Sequence, residues 1–358
     1  MKRRDAPSLL KDLPAGAEVL IIRLRSLGDV VLLTPALSAL HAWRPDLRLS
    51  VLVQSFCAPI LEGNPAVAEI LLMGGFLSAV SNLRRRHFPV VYNQHAGPTS
   101  ALLTAAIGAP HRVCWTRRQF SFVYNVLVTD PGDKIHTVEH RIEQFYATGL
   151  PRTPIPPARV YPQPDACSAI AKNLSEIGIS SGAPYAVIHP GGKYFTKRWS
   201  PENFIDLAQW LRKTHSIEPV FSTGSTETEI VSELRRLSGG EFALMDSLDL
   251  RQLIALVAGA RIFIGNDSGP THIATATGRP VVAIFGSSSS VHWRPWQTAY
   301  RVVQNDFPCN PCPGDRCYAF AEPRCILSIT LAQVQAACES LLAETTQAPS
   351  VQTIQQQL

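Results

Sequence analysis

The chain has 358 residues, enough for two domains of ordinary size. Its 46% hydrophobic and 17% charged content excludes a disordered polymer, and no apolar run approaches the roughly 18–20 residues that span a bilayer. The net charge of +5 is uneven, with 18 Lys and Arg against 11 Asp and Glu in residues 1–164 and 15 against 17 in the remainder. A basic first half suits an anionic acceptor or a negatively charged membrane surface, a well-solvated surface being the competing reading. Residues 1–13 are basic without an apolar stretch behind them, a poor secretory signal. The expected location is therefore the cytoplasm, where the eight cysteines stay mostly reduced.

In chain order, Glu18–Leu24 reads as a buried strand, Arg25-Ser26-Leu27-Gly28 as a turn, and Asp29–Trp43 as a helix. Leu47–Gln54, Ala68–Met73 and Pro89–Asn93 are further strands, with a short helix near Cys57–Glu62. Six prolines between Pro151 and Pro164 predict a stiff linker and a domain boundary. The rhythm then restarts with strands at Tyr185–His189, Ile217–Ser222, Arg261–Ile264 and Pro280–Phe285. Helices follow Ser200 as N-cap with Pro201 in the first turn, begin near Thr226, and cover Asp249–Ala258, Thr271–Thr277 and Leu331–Leu342. Strand–helix–strand order with short links means parallel sheets covered on both faces. The expectation is two Rossmann-like domains facing a central cleft, the GT-B architecture, over residues 1–164 and 165–345, followed by a mobile tail over 346–358.

Three segments could carry chemistry. The turn Asn266-Asp267-Ser268-Gly269-Pro270-Thr271-His272 follows a strand and opens a helix. Gly269 admits a ligand to the backbone, Ser268 and Thr271 offer hydroxyls, and the helix start presents N–H groups that suit a diphosphate. An ordinary capped loop is the alternative. Pro190–Trp199 pairs Gly191-Gly192 with Lys193, Lys197 and Arg198, cations able to stabilise a departing diphosphate, or else a basic surface loop. Arg23–Asp29 places a carboxylate at a helix start, as a base for an acceptor hydroxyl or as a first-turn acid.

Together these segments resemble glycosyltransferase family 9, the ADP-heptose:lipopolysaccharide heptosyltransferases. The resemblance runs from about Val19 to about Thr330. It rests on Arg23-x-x-Ser26-x-Gly28-Asp29 with Thr34-Pro35-Ala36-Leu37, on His189-Pro190-Gly191 with Lys197-Arg198-Trp199-Ser200, and on Asn266 to Ala274. It implies an inverting, metal-independent transfer needing no cofactor, from ADP-heptose to the Kdo/heptose inner core of lipopolysaccharide, a lipid-linked anionic saccharide. Another nucleotide-sugar donor, or a different acceptor, is the alternative on the same fold. Asp29 matches the catalytic base. Lys197 matches a lysine on the nucleotide phosphates, Asp267 to His272 the loop around diphosphate and sugar, and Glu227 lies near an acid that contacts the ribose. Gly192 and Lys193 complete the expected donor side, which makes residues 165–345 the nucleotide-sugar-binding domain; Arg23, Ser26, Gly28, His95 and His136 form the expected acceptor side, which makes residues 1–164 the acceptor-binding domain. Asn93 and His95 stand where many relatives carry an acid. Such an enzyme would work in the cytoplasm, peripherally at the inner membrane.

Other signals point elsewhere. His136-Thr137-Val138-Glu139-His140 spells H-x-x-E-H, an inverted zinc-protease pattern without a convincing downstream ligand. Cys309, Cys312, Cys317 and Cys325 are spaced for a structural zinc, for disulfides, or as free thiols, and no catalytic metal is expected. Arg84-Arg85-Arg86 and Arg117-Arg118 could meet acceptor carboxylates or phosphates, though no nucleic-acid module accompanies them. A dinucleotide-dependent oxidoreductase would need G-x-G-x-x-G after a strand, which Arg25–Asp29 lacks.

Overall fold

The computed structural model describes residues 6–95, 97–116, 119–132, 134–224 and 227–347. Arg117, Arg118, Ser225, Thr226 and the tail beyond Gln347 lie outside them. The chain divides into two compact units between Tyr161 and Pro162.

The first unit holds six parallel strands: β1 (Glu18–Ile22), β2 (Arg48–Val53), β3 (Glu69–Leu72), β4 (Val90–Asn93), β5 (His111–Trp115) and β6 (Val126–Val128). Their order across the sheet is β3-β2-β1-β4-β5-β6. Val19, Leu20, Ile21 and Ile22 are all sealed from solvent, as a strand covered on both faces requires.

The second unit repeats the plan with β7 (Tyr185–His189), β8 (Glu218–Ser222), β9 (Ala243–Met245), β10 (Ile262–Asn266), β11 (Val281–Ile284) and β12 (Tyr300–Val303). Its order is β12-β11-β10-β7-β8-β9. Alternate residues of β7 enter different cores. Ala186 and Ile188 pack with Trp199 and Phe204, whereas Tyr185 and Val187 pack with Leu256 and Phe263.

Numbered within each unit, both sheets run 3-2-1-4-5-6, the Rossmann order. In such a sheet the connections leave in opposite directions between the first and fourth strands, opening a crevice at their carboxyl ends. Those positions are β1 beside β4 and β7 beside β10.

The region expected as one helix from Asp29 to Trp43 is two, Leu27–Val31 and Thr34–Trp43. Pro35 sits in the first turn of the second, where its missing N–H costs nothing, and the Thr34 hydroxyl donates back to the Val31 carbonyl at 2.7 Å. Near Cys57 the chain forms a 3₁₀ turn, Ser55–Ile60, with Pro59 inside it. Ser200 does cap Pro201–His215, its hydroxyl accepting from the Asn203 N–H. Helices Phe76–Arg84, Pro98–Ile107 and Pro164–Glu176, and strands β5, β6, β9 and β12, add to the expected elements. Among the described residues no helix is long and apolar enough to cross a membrane.

Candidate active site

In the first unit, Asp29 lies in the first turn of Leu27–Val31, directly beyond β1. Ser26, which precedes this helix, has φ +78°, a conformation that costs a non-glycine residue roughly 1–3 kcal/mol and is typically retained at functional turns. Arg23 is buried and forms an ion pair with Asp29 Oδ2, while one of its N–H groups donates to the Gln94 carbonyl at 2.6 Å. Arg141, from the helix Thr137–Tyr146, donates to Asp29 Oδ1 at 2.8 Å and to the same Gln94 carbonyl at 3.2 Å. Both carboxylate oxygens are therefore held by guanidinium groups. Burial pushes the Asp29 carboxyl up, but the charges and hydrogen bonds of Arg23 and Arg141 outweigh it and leave the group below its ordinary range. Arg23 itself is lowered to about 10 by burial and by the charge of Arg141.

His95 follows β4 on the other side of this crevice. Its N–H donates to the Asn93 side chain at 3.0 Å and its ring Nδ1 has no partner. Burial, then the charges of Arg23 and Arg25, lower its imidazole to about 4, so it is neutral at physiological pH. Asn93 is sealed inside, its amide donating to Tyr124 at 2.7 Å and Thr104 at 3.2 Å, which makes it a fixture of the sheet edge. Gly28 is buried in the short helix and Ser26 is exposed.

His136 has a different place. It is fully buried at the start of Thr137–Tyr146, where its Nδ1 accepts from the Val138 N–H at 3.1 Å and its own N–H donates to Glu139 at 2.9 Å. This is a capping box, with an imidazole in the usual hydroxyl role. His140 pairs instead with Asp130 at 2.9 Å. The H-x-x-E-H residues are thus engaged in capping and pairing rather than converging on one point.

In the second unit, the turn after β10 and the loop after β7 meet across their crevice. Lys197 Nζ pairs with Asp267 Oδ2 at 2.7 Å. Asn266, fully buried, accepts from the Trp199 N–H at 3.1 Å and donates to the carbonyls of Pro190 (2.8 Å) and Gly191 (3.2 Å). Gly269 begins an eight-residue helix with Pro270 in its first turn and Ser268 half-buried before it. The Thr271 hydroxyl, expected to face a ligand, donates to the Asn266 carbonyl at 2.5 Å and fixes the turn instead. His272 is buried against Trp293. Lys193 is exposed, its ammonium 4.7 Å from the centre of the Tyr194 ring.

Glu227 joins this group through backbone. It accepts from the Gly192 N–H at 3.0 Å and the Gly224 N–H at 2.7 Å, and His189 Nε2 lies 3.9 Å away. A Cβ on Gly191 would strike this carboxylate, so any larger residue there would displace Glu227 from its present hydrogen bonds. Burial holds His189 below its ordinary value despite the pull of Glu227.

The four clustered cysteines line one cavity of about 70 Å³ and form no disulfide. Among the described residues no group of three or more His, Cys, Asp or Glu is placed to hold a metal ion. Their segment braces the loops after β7 and β11: the Cys312 N–H donates to Ser287 at 3.0 Å, the Asn310 amide to Gly286 at 2.9 Å, and Thr196 to Gly314. Of the arginine triplet, Arg86 is engaged by Glu69 and Glu18, whereas Arg84 and Arg85 are exposed.

With this geometry in place, comparison with known proteins is decisive. The profile of glycosyltransferase family 9 (heptosyltransferase) matches residues 77–319, more than half of the chain. The chain belongs to glycosyltransferase family 9. It is a glycosyltransferase of α/β, GT-B type. It is similar to lipopolysaccharide heptosyltransferase 3 of Escherichia coli, at 25% identity over 75% of this chain and 83% of that protein. In fold it is similar to a family 9 glycosyltransferase from Veillonella parvula (TM-score 0.81, 20% identity, 95% of this chain and 100% of that one). It also resembles the E. coli ADP-heptose lps heptosyltransferase II (TM-score 0.78, 22% identity, 92% and 99%). The segments singled out in the sequence, Arg23–Asp29, Pro190–Trp199 and Asn266–His272, fall at the two switch points; Arg141 was not among them, its only signal being a cation on a helix face otherwise carrying buried His140, Gln144 and Phe145.

Proposed function

We propose that this glycosyltransferase moves heptose from ADP-heptose to the inner core of lipopolysaccharide, with inversion and without a catalytic metal. The observation that carries the reading is the position of Asp29: a partly accessible carboxylate at the first unit's switch point, kept ionised by two arginines. In the reaction Asp29 takes the proton from an acceptor hydroxyl as its oxygen bonds to the anomeric carbon, and the bond from that carbon to the diphosphate breaks. The electron pair leaves on ADP. Lys197 and the first N–H groups of the Gly269–Ala276 helix would neutralise that charge. Arrival of the diphosphate draws Lys197 from Asp267, and Glu227 accepts from the nucleotide ribose.

Family membership and the ADP-heptose enzyme among its fold relatives support this donor. The exposed Leu72, Phe76 and Leu77, on the same stretch of chain as exposed Arg84 and Arg85, support peripheral contact with an anionic membrane, where a lipid-linked acceptor resides. The test incubates purified protein with ADP-heptose and either Kdo-lipid A or heptosyl-Kdo-lipid A, following ADP release with EDTA present. Turnover with one acceptor is expected. Absence of turnover with both sinks the heptose-to-core reading, and loss of activity with EDTA while the fold persists sinks the metal-independent one.

A further inference from the structure

Three charged groups, Arg23, Asp29 and Arg141, are largely withdrawn from water at one point. Stability does not account for them, since a buried ionic triad is often no better than apolar packing of the same volume. Arg141 is also costly to place: its Nε has no partner, and it lies 112 residues from Asp29 in the chain. Its further hydrogen bonds engage Gln94. Its N–H donates to the Gln94 carbonyl at 3.2 Å, and the Gln94 side chain donates to the Arg141 carbonyl at 3.1 Å and to Gln144 at 3.0 Å. The helix Thr137–Tyr146 is thereby tied both to Asp29 and to the segment that carries His95.

We propose that Arg141 is a positioning residue for the transfer, fixing the plane of the Asp29 carboxylate through Oδ1 while Arg23 holds Oδ2. With one lone pair of each oxygen committed to a guanidinium, the remaining pairs point in set directions, and an acceptor hydroxyl meets the base in one geometry. The inference rests on Asp29 being the base. The groups that face Asp29 are Arg23 from the end of β1, Arg141 from its helix, and Cys57 from the 3₁₀ turn Ser55–Ile60, with His95 and Arg25 at the rim. Cys57 is pushed up to about 11 by burial and is uncharged across the working range. The two arginines are therefore the groups that keep the carboxylate ionised.

The experiment compares Arg141→Gln, neutral but able to hydrogen bond, with Arg141→Lys, which keeps a charge without the planar fork. Two readouts are taken: the pH profile of kcat/KM, and the titration of Asp29 itself by carboxyl-¹³C aspartate labelling, assigned with Asp29→Asn. In R141Q the Asp29 titration and the acid limb of the profile are expected to rise together by about one pH unit or more. In R141K both stay near wild type. In both variants kcat falls about 10–100-fold, as small misplacement of a reacting group does, while KM for the nucleotide sugar changes less than about twofold. The proposal is overturned if the Asp29 titration is the same in R141Q as in wild type, or if kcat is unchanged in both variants. It is equally overturned if R141K recovers full kcat, because charge alone would then suffice. If Asp29 titrates upward in R141Q but Asp29→Asn retains full activity, the base assignment has failed and the positioning role for catalysis goes with it.

Discussion

At the scale of single residues, the proposed base is the sharpest test. Asp29→Asn is expected to lower kcat by about 10²–10⁴-fold, the usual worth of general-base help, with KM for the nucleotide sugar little changed. A variant within threefold of wild type would contradict the assignment. Because the folded Asp29 carboxyl is depressed, its contribution to stability is present above the unfolded value of about 3.9 and fades as pH falls through the lower folded value. His95 behaves in the same sense for a different reason. Its folded value of about 4 lies below the unfolded value of about 6.5, so the unfolded chain binds the extra proton between them. The wild type is thus expected to lose melting temperature relative to His95→Gln as pH drops from about 6.5 to about 4. A constant difference between the two across that interval would remove His95 from the set of buried neutral groups. On the proposed donor side, Gly191→Ala drives a methyl group into Glu227; about a tenfold loss of ADP affinity by titration calorimetry is expected, and unchanged affinity would detach Glu227 and its glycines from the proposed nucleotide site.

At the scale of elements, Asn266 joins β10 to the loop after β7 through three buried hydrogen bonds, and Trp199, which it holds, is itself sealed and donates through Nε1 to Ile329 at 2.8 Å. Asn266→Ala leaves buried backbone groups unsatisfied, so a loss of about 2–4 kcal/mol is expected in denaturant unfolding. Leu77, on the outer face of Phe76–Arg84, tests the membrane contact: Leu77→Asp should weaken sedimentation with vesicles containing anionic phospholipid and leave turnover of a soluble acceptor unchanged. Equal sedimentation would remove that helix from the contact. The long hydrophobic strands and the glycine and proline punctuation were legible in the sequence, because runs such as Val19–Ile22 are written in residue type alone. Strands β6 and β9, three residues each, were too short to carry a period. Asp29, Lys197 and Asp267 were legible as candidates because each falls in the segment that follows a strand, β1, β7 or β10. Arg141 was not, since nothing local distinguishes a helical arginine that salt-bridges a carboxylate 112 residues away. Thr271 and His136 were legible as polar residues near a site, but only packing shows that each serves the backbone beside it.

At the scale of the whole molecule, each unit has its own sheet, cores and crevice, so with the donor proposed for the second unit and the base for the first, donor binding should be indifferent to the acceptor-side chemistry. ADP affinity is expected to be the same for Asp29→Asn and wild type. A drop of more than about threefold would show that nucleotide capture draws on the first unit. The shared strand order also says something about how such an enzyme can change. Two units of the same strand order, one following the other in the chain, mean that loops rooted in the first sheet can be rewritten, shortened or grafted from a relative while the hydrogen bonds that Asn266, Lys197 and Glu227 make stay within the second. On the proposed division of labour, new acceptors are acquired one half at a time, the glycosyl source held constant while the recipient drifts.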